Sequence, residues 1–241
     1  MAFTYPYSYT SLQDYLCNLE KNRYSKTHFQ REIIAKSKEG RNLDLVTIKK
    51  VDKDSSMSTT RPIVFISARV HPGEVCSSFV VQGFMNFLLD EINEDSEKLL
   101  DKYEFKIVPM LNPDGVARGH YRHDTTGTNL NRVYDNPSNT DTPTIFAVKT
   151  LLDELKSKIF FYTDIHGHAI ENGAFIFGNP SDNMEFKVNT FLFPKLLSLN
   201  NHRFSYSQCK TTNLTLQDVM QGTNLEGCGR AYAHKVTGKC F

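Results

Sequence analysis

The chain has no Cys-x-x-Cys pair, no apolar run long enough to span a membrane and no excess of charge, and each absence narrows its function. Its five cysteines, Cys17, Cys76, Cys209, Cys228 and Cys240, are odd in number and scattered. That argues against a disulfide framework and for reduced thiols in a cytosolic protein. The stretch Met1-Ala2-Phe3-Thr4-Tyr5-Pro6-Tyr7 lacks the basic region and apolar core of a leader peptide. Membranes are not an expected partner. The formal net charge is +1 over 241 residues, which gives no global attraction to nucleic acid, so a preference for an acidic partner must come from locally clustered arginine. No internal repeat or low-complexity tract breaks the chain, and its length suits one large α/β domain.

Apolar residues at helical spacing (Leu12, Tyr15, Leu16, Leu19) predict an opening helix over 11–20, with Thr10 or Ser11 as its cap. Phe29 to Ser37 and Asn42 to Lys50 read as a hairpin around Lys38-Glu39-Gly40-Arg41. Val51 to Thr60 is polar and reads as a loop. Beyond it, strands are expected over 61–70, 105–110, 159–165, 174–178 and 203–209. Helices are expected over 78–89, 143–156 and 183–199, with a glycine-led helix near 226–235. Strands alternating with helices give an α/β fold with a mixed, mostly parallel twisted sheet flanked by helices.

Two of these strands end in chemistry. The run Arg61 to Val70 stops at His71-Pro72-Gly73-Glu74, and Ile159 to Ile165 stops at His166-Gly167-His168. Carboxyl ends of strands are where open α/β sheets hold their sites. A His-x-x-Glu pair alone is a common surface accident. Two such runs, bracketed by glycine, make His71, Glu74 and His166 a two-His, one-Glu set that leaves a fourth position open, as catalytic zinc sites do.

Between the two halves, Leu111 to Arg132 is poor in aliphatic residues and contains Arg118, Arg122 and Arg132. A long polar loop inside a compact domain is usually functional. Arginine grips a carboxylate through paired donors, and Asn131 beside Arg132 adds another, so the segment reads as an anion clamp near the metal. His120 and His123 lack a third ligand and read as loop histidines.

These residues, taken together, resemble a known family. Tyr5-Pro6-Tyr7-Ser8-Tyr9, Ala68-Arg69-Val70-His71-Pro72-Gly73-Glu74, Asn112-Pro113-Asp114-Gly115-Val116, Gly119-His120-Tyr121-Arg122, Asn129-Leu130-Asn131-Arg132 and Asp164-Ile165-His166-Gly167-His168 stand in the order found in the zinc metallocarboxypeptidases. The subgroup they are most similar to is the cytosolic carboxypeptidases that trim glutamates from tubulin tails. The resemblance implies one Zn2+ held by His71, Glu74 and His166, with Asn131 and Arg132 on the substrate's terminal carboxylate. It further implies Arg122 on the scissile carbonyl and its oxyanion, and Arg230 at the floor of the specificity pocket against a glutamate side chain. Tubulin C-terminal tails or other glutamate-rich tails would be the partners, and the cytoplasm, with microtubules, the location.

The resemblance also sets expectations about extent. The chain is expected to be a single catalytic domain over 1–241, without most of the family's accessory β domain, and to lack the domain's C-terminal strand and helix. The family's general-base Glu lies on that strand. Neither Glu171 nor Glu226 falls in its place, so this chain is expected to be nearly inactive as written. A further departure is Asn129, where many members carry Asp; an amide oxygen still accepts from a ligand histidine. The alternatives are a catalytically dead zinc module that binds glutamylated tails and, more distantly, a zinc acylase.

Overall fold

A computed structural model of the chain describes residues 4–51, 60–179, 184–210 and 227–238. Glu226, Cys240 and most of the expected loop from Val51 to Thr60 lie outside these. Seven α-helices and five strands appear among the described residues: α1 Tyr9–Lys21, β1 Thr27–Lys36, β2 Asn42–Lys50, β3 Ile63–Ala68, α2 Cys76–Leu88, α3 Glu94–Lys102, β4 Glu104–Val108, α4 Pro113–Arg118, α5 Pro143–Leu155, β5 Ile159–Ile165, α6 Met184–Asn200 and α7 Gly229–Thr237.

The strands form one mixed sheet in the order β1-β2-β4-β3-β5. Pairing is antiparallel on the hairpin side (β1 with β2, β2 with β4) and parallel where β3 lies between β4 and β5. Apolar residues cover both faces of the sheet. Leu43, Leu45 and Phe65 face Ile145, Val148 and Leu152 of α5 and Tyr232 of α7. Val46, Ile48, Ile66 and Ile107 face Leu12, Leu16 and Leu19 of α1 and Val81, Met85 and Leu88 of α2. Each fully buried leucine contributes about 1.5–3 kcal/mol. Burial on both faces explains why β3 reads as a nearly continuous apolar run. Both parallel neighbours of β3 run the same way, so β3 and β5 deliver His71 and His166 to one edge of the sheet.

The element ends differ from expectation where capping decides them. Ser8, not Thr10 or Ser11, caps α1: its Oγ accepts the Ser11 N–H at 3.0 Å. The expected strand over 174–178 is reduced to isolated bridges, Ala174 to Phe204 and Phe177 to Lys210, and the expected strand over 203–209 contains a short 3-10 turn, Tyr206–Gln208. Helix α6 keeps Pro194 in its interior. Among the described residues no helix is long and apolar enough to cross a membrane, and Cys17, Cys76, Cys209 and Cys228 are all free.

The start of β1 is held by a carboxylate. Glu91 Oε1 accepts the backbone N–H of Lys26 (2.6 Å) and of Thr27 (3.0 Å), and Oε2 accepts the N–H (3.0 Å) and hydroxyl (2.7 Å) of Ser25. Burial works to raise its pKa, but the Ser25 hydroxyl and the three backbone donors outweigh it and bring it down to about 2. A depressed folded pKa means the stabilisation is complete above the ordinary carboxylate range and lost as pH falls towards 2. Glu91→Gln is therefore expected to cost about 1.5–2 kcal/mol at pH 7, with the gap from wild type closing on acidification. Urea unfolding at pH 7 and pH 3 checks it; a gap of equal size at both would refute it.

Candidate metal centre

His71 and Glu74 sit on the turn between β3 and α2, and His166 follows β5 directly. Their ligand atoms all lie within 4.8 Å of one another. Glu74 is at the centre: His71 Nδ1 is 2.7 Å from its Oε1 and His166 Nδ1 is 2.8 Å from its Oε2. The Gly167 N–H donates to Oε2 at 2.9 Å.

The outer nitrogens fix the tautomers. His166 Nε2 lies 2.8 Å from Asp164 Oδ2, and His71 Nε2 lies 3.1 Å from Asn129 Oδ1. That amide oxygen is identified as an acceptor because the Asn131 N–H also donates to it at 3.1 Å. Both Nε2 atoms must therefore carry hydrogen, and each neutral ring then aims its Nδ1 lone pair at a carboxylate oxygen. Lone pair against lone pair at such distances repels unless a cation stands between them. The observed donor set, two imidazole nitrogens and one carboxylate, is what zinc takes in open, chemically active sites. The residues fit the ion.

The charges respond as they would to a site for a cation. Burial would raise the Glu74 pKa, but the close His166 and His71 imidazoles hold its carboxyl well below the usual range. Burial would lower that of His166, yet the Asp164 carboxylate, its hydrogen bond and Glu74 lift it to about 10. At neutral pH, without metal, a proton on His166 stands in for the ion.

The turn that carries His71 and Glu74 is tightly held. Arg69, buried and at φ 57°, is the only non-glycine residue in the left-handed region among those described. Its Nε donates to the Pro72 carbonyl at 2.9 Å and its Nη1 to Ser78 Oγ at 2.7 Å. Burial pushes this guanidinium down to about 10, against the pull of Cys76, Tyr7 and Glu74. A Cβ on Gly115 would meet Pro72 Cγ at 2.5 Å, so α4 packs directly against the turn.

Of the expected anion-clamp arginines, Arg118 is turned away to Glu39, its Nε donating to Oε1 and Oε2 at 3.1 and 3.0 Å. The Gly73 N–H donates to the Tyr121 carbonyl at 2.7 Å, which sets Arg122 next to the ligand turn. Arg122 is half-buried and makes no hydrogen bond or ion pair with the described residues. Asn131 is buried: its Oδ1 accepts the Gly229 N–H at 2.9 Å, and its Nδ2 lies 3.4 Å from His166 Nε2. Arg132, half-buried, donates from Nη1 to the Asn131 carbonyl at 2.7 Å. Arg230 opens α7 and is engaged by the Gly178 carbonyl and by Asn179 Oδ1 at 2.8 Å.

The remaining sequence candidates lie apart from the ligands. His120 Nδ1 faces the His123 and Asp124 carbonyls of its own loop at 3.3 and 3.0 Å. Glu171 is exposed and accepts from Gln208 Nε2 at 2.7 Å. Asp164 and Ser67, which reach His166 from behind, carried no role in the sequence reading; the signal was the short Asp-x-His spacing at the end of β5.

Comparison with known proteins agrees with this geometry. The family model described as zinc carboxypeptidase matches residues 12–170. Human cytosolic carboxypeptidase 6 is 38% identical over 244 residues, covering 100% of this chain and 47% of the human protein. Cytosolic carboxypeptidase-like protein 5 from Bos taurus is 29% identical over 355 residues, covering 98% of this chain and 40% of that protein. The chain thus spans about half the length of the curated relatives it matches, or less. In solved structures, a metallo-carboxypeptidase from Burkholderia cenocepacia superimposes with a TM-score of 0.80 at 23% identity, covering 97% of this chain and 58% of that one. One from Pseudomonas aeruginosa gives 0.79 at 20%, covering 98% and 58%. These two likenesses speak for the fold.

Proposed function

Since this chain belongs to the zinc carboxypeptidase family, we propose that it is the catalytic part of an enzyme that removes C-terminal glutamates from acidic protein tails, such as polyglutamylated tubulin. The observation that carries this reading is the convergence of His71, Glu74 and His166, with Asn131 at 3.4 Å from His166 and Arg132 held beside it. His71, Glu74 and His166 would hold one Zn2+, which when bound supplies Lewis acidity and a water activated near neutral pH.

The chain's own residues do the rest. Arg132, with the Asn131 amide beside it, meets the substrate's terminal carboxylate through charge-assisted hydrogen bonds. Arg122 presents its guanidinium where negative charge develops on the scissile carbonyl. Arg230 faces the glutamate side chain and selects for it. Several arginines suit a tail that is itself a run of carboxylates, and cytoplasmic microtubules are where such tails are found.

A second reading is favoured by one observation. The carboxylates hydrogen-bonded to the cluster are Glu74 and Asp164, and both are occupied, which leaves neither free to act as a general base. On that reading the chain binds glutamylated tails without cutting them. One assay separates the two: a peptide ending in several glutamates is titrated into the zinc-loaded chain, and free glutamate is measured by mass spectrometry. Binding with release supports the peptidase, binding alone the module, and neither would remove both.

The clamp itself has an expected size. Arg132→Ala removes hydrogen bonds to a charged group, about 1.5–3 kcal/mol, so peptide binding is expected to weaken by roughly 10- to 100-fold with zinc content unchanged. Unchanged affinity by calorimetry would take Arg132 out of the clamp.

A further inference from the structure

Residues two apart on a strand share a face, and that rule builds a polar column behind the metal centre. Phe65 and Ser67 on β3 stand opposite Tyr162 and Asp164 on β5. Phe65 and Tyr162 stack, with ring centroids 5.8 Å apart. One step further along, Ser67 Oγ donates to Asp164 Oδ1 at 2.7 Å and lies 3.0 Å from the Tyr162 hydroxyl. A serine hydroxyl has one proton; Ser67 gives it to Asp164, so Tyr162 is the donor to Ser67. Asp164 Oδ2 in turn accepts from His166 Nε2 at 2.8 Å.

Ser67 and Tyr162 have 0% exposure, and the Asp164 side chain has 4%. Hydroxyls and a carboxylate in the interior cost stability unless every one is partnered. Apolar residues would pack this face at least as well, as Phe65 does beside them. What apolar residues could not do is give the carboxylate a fixed orientation towards the ring beyond it.

We infer that Asp164, Ser67 and Tyr162 are positioning residues for His166: the two hydroxyls lock the Asp164 carboxylate, which holds the imidazole with hydrogen on Nε2 and Nδ1 towards the ion. The assignment rests on the metal-centre reading and deepens it. Outer partners of this kind typically change metal affinity 10- to 100-fold.

The test uses the full 241-residue chain loaded with zinc. Zinc stoichiometry, the rate of zinc transfer to a chelator, and the melting temperatures of the apo and loaded forms are measured for wild type, Asp164→Asn, Ser67→Ala and Tyr162→Phe. Asp164→Asn is expected to weaken zinc affinity 10- to 100-fold. Ser67→Ala and Tyr162→Phe are each expected to speed zinc release several-fold. Tyr162 acts through Ser67, so the double variant should release zinc no faster than Ser67→Ala alone. The zinc-induced rise in melting temperature should shrink while the apo value holds.

Two results overturn the assignment: release at the wild-type rate from all three variants, or an equal fall in apo and loaded melting temperatures with zinc release unchanged. A wild-type chain that takes up no zinc overturns the metal reading itself, and this assignment with it.

Discussion

Glu74→Ala is expected to leave the protein without stoichiometric zinc at neutral pH. The carboxylate touches both imidazoles and the Gly167 N–H, so its removal takes away a ligand and the anion that gathers the other two. Loss of an outer partner costs up to about 100-fold in metal affinity, and loss of a direct ligand should exceed that. The pH dependence follows the same sign. His166, raised to about 10, carries a proton at pH 7 that zinc must displace, so loading releases protons and weakens as pH falls. Elemental analysis after dialysis, with calorimetry in buffers of different ionisation enthalpy, reads both effects. A variant that retains zinc like the wild type, or loading with no proton release, would contradict them.

Asp114→Ala is expected to destabilise the fold by about 3 kcal/mol, the lower end for breaking a buried ion pair. Its Oδ1 accepts from Ser37 Oγ (2.6 Å) and Arg41 Nη1 (2.9 Å), and its Oδ2 from the Glu39 N–H (3.0 Å). Asp114 is 5% exposed, and the Ser37 hydroxyl and Glu39 N–H lose this acceptor together, while Arg41 keeps Glu39. The residue joins the β1–β2 turn to α4, and α4 packs on Pro72, so the damage should spread to the ligand turn. Denaturant midpoints measure the first effect and zinc release the second. A change under about 0.5 kcal/mol, the range of an ordinary surface substitution, would show that the turn is held by something else.

The sheet was legible where apolar runs marked its parallel strands: β3 is buried on both faces, and β5 ends at Ile165 as its sequence suggests, with His166 following at once. Helix α3 was not expected, because its apolar content is little more than Leu99 and Leu100. Its signals were electrostatic: Asn93 capping the N–H groups of Asp95 and Ser96, then Glu94, Asp95 and Glu97 in the first turn. Helix α4 hid inside a segment read as loop, since six residues give no periodicity. Pro113 at its start and Gly119 at φ 72° past its end mark it in retrospect. The candidate metal ligands His71, Glu74 and His166 could be named from spacing and from family likeness. The Ser67–Asp164 pair could not, because it exists only in the register between strands far apart in the chain.

The backbone at Arg69 has one further consequence. A side-chain-bearing residue held at φ 57° is stable only where its surroundings over-determine it, and here two hydrogen bonds from its own buried guanidinium do so. The ordering entropy of His71 and Glu74 is thus settled during folding. Metal capture then needs no conformational search by that segment, and its speed should be governed by dehydration of the incoming cation and by departure of the resident proton.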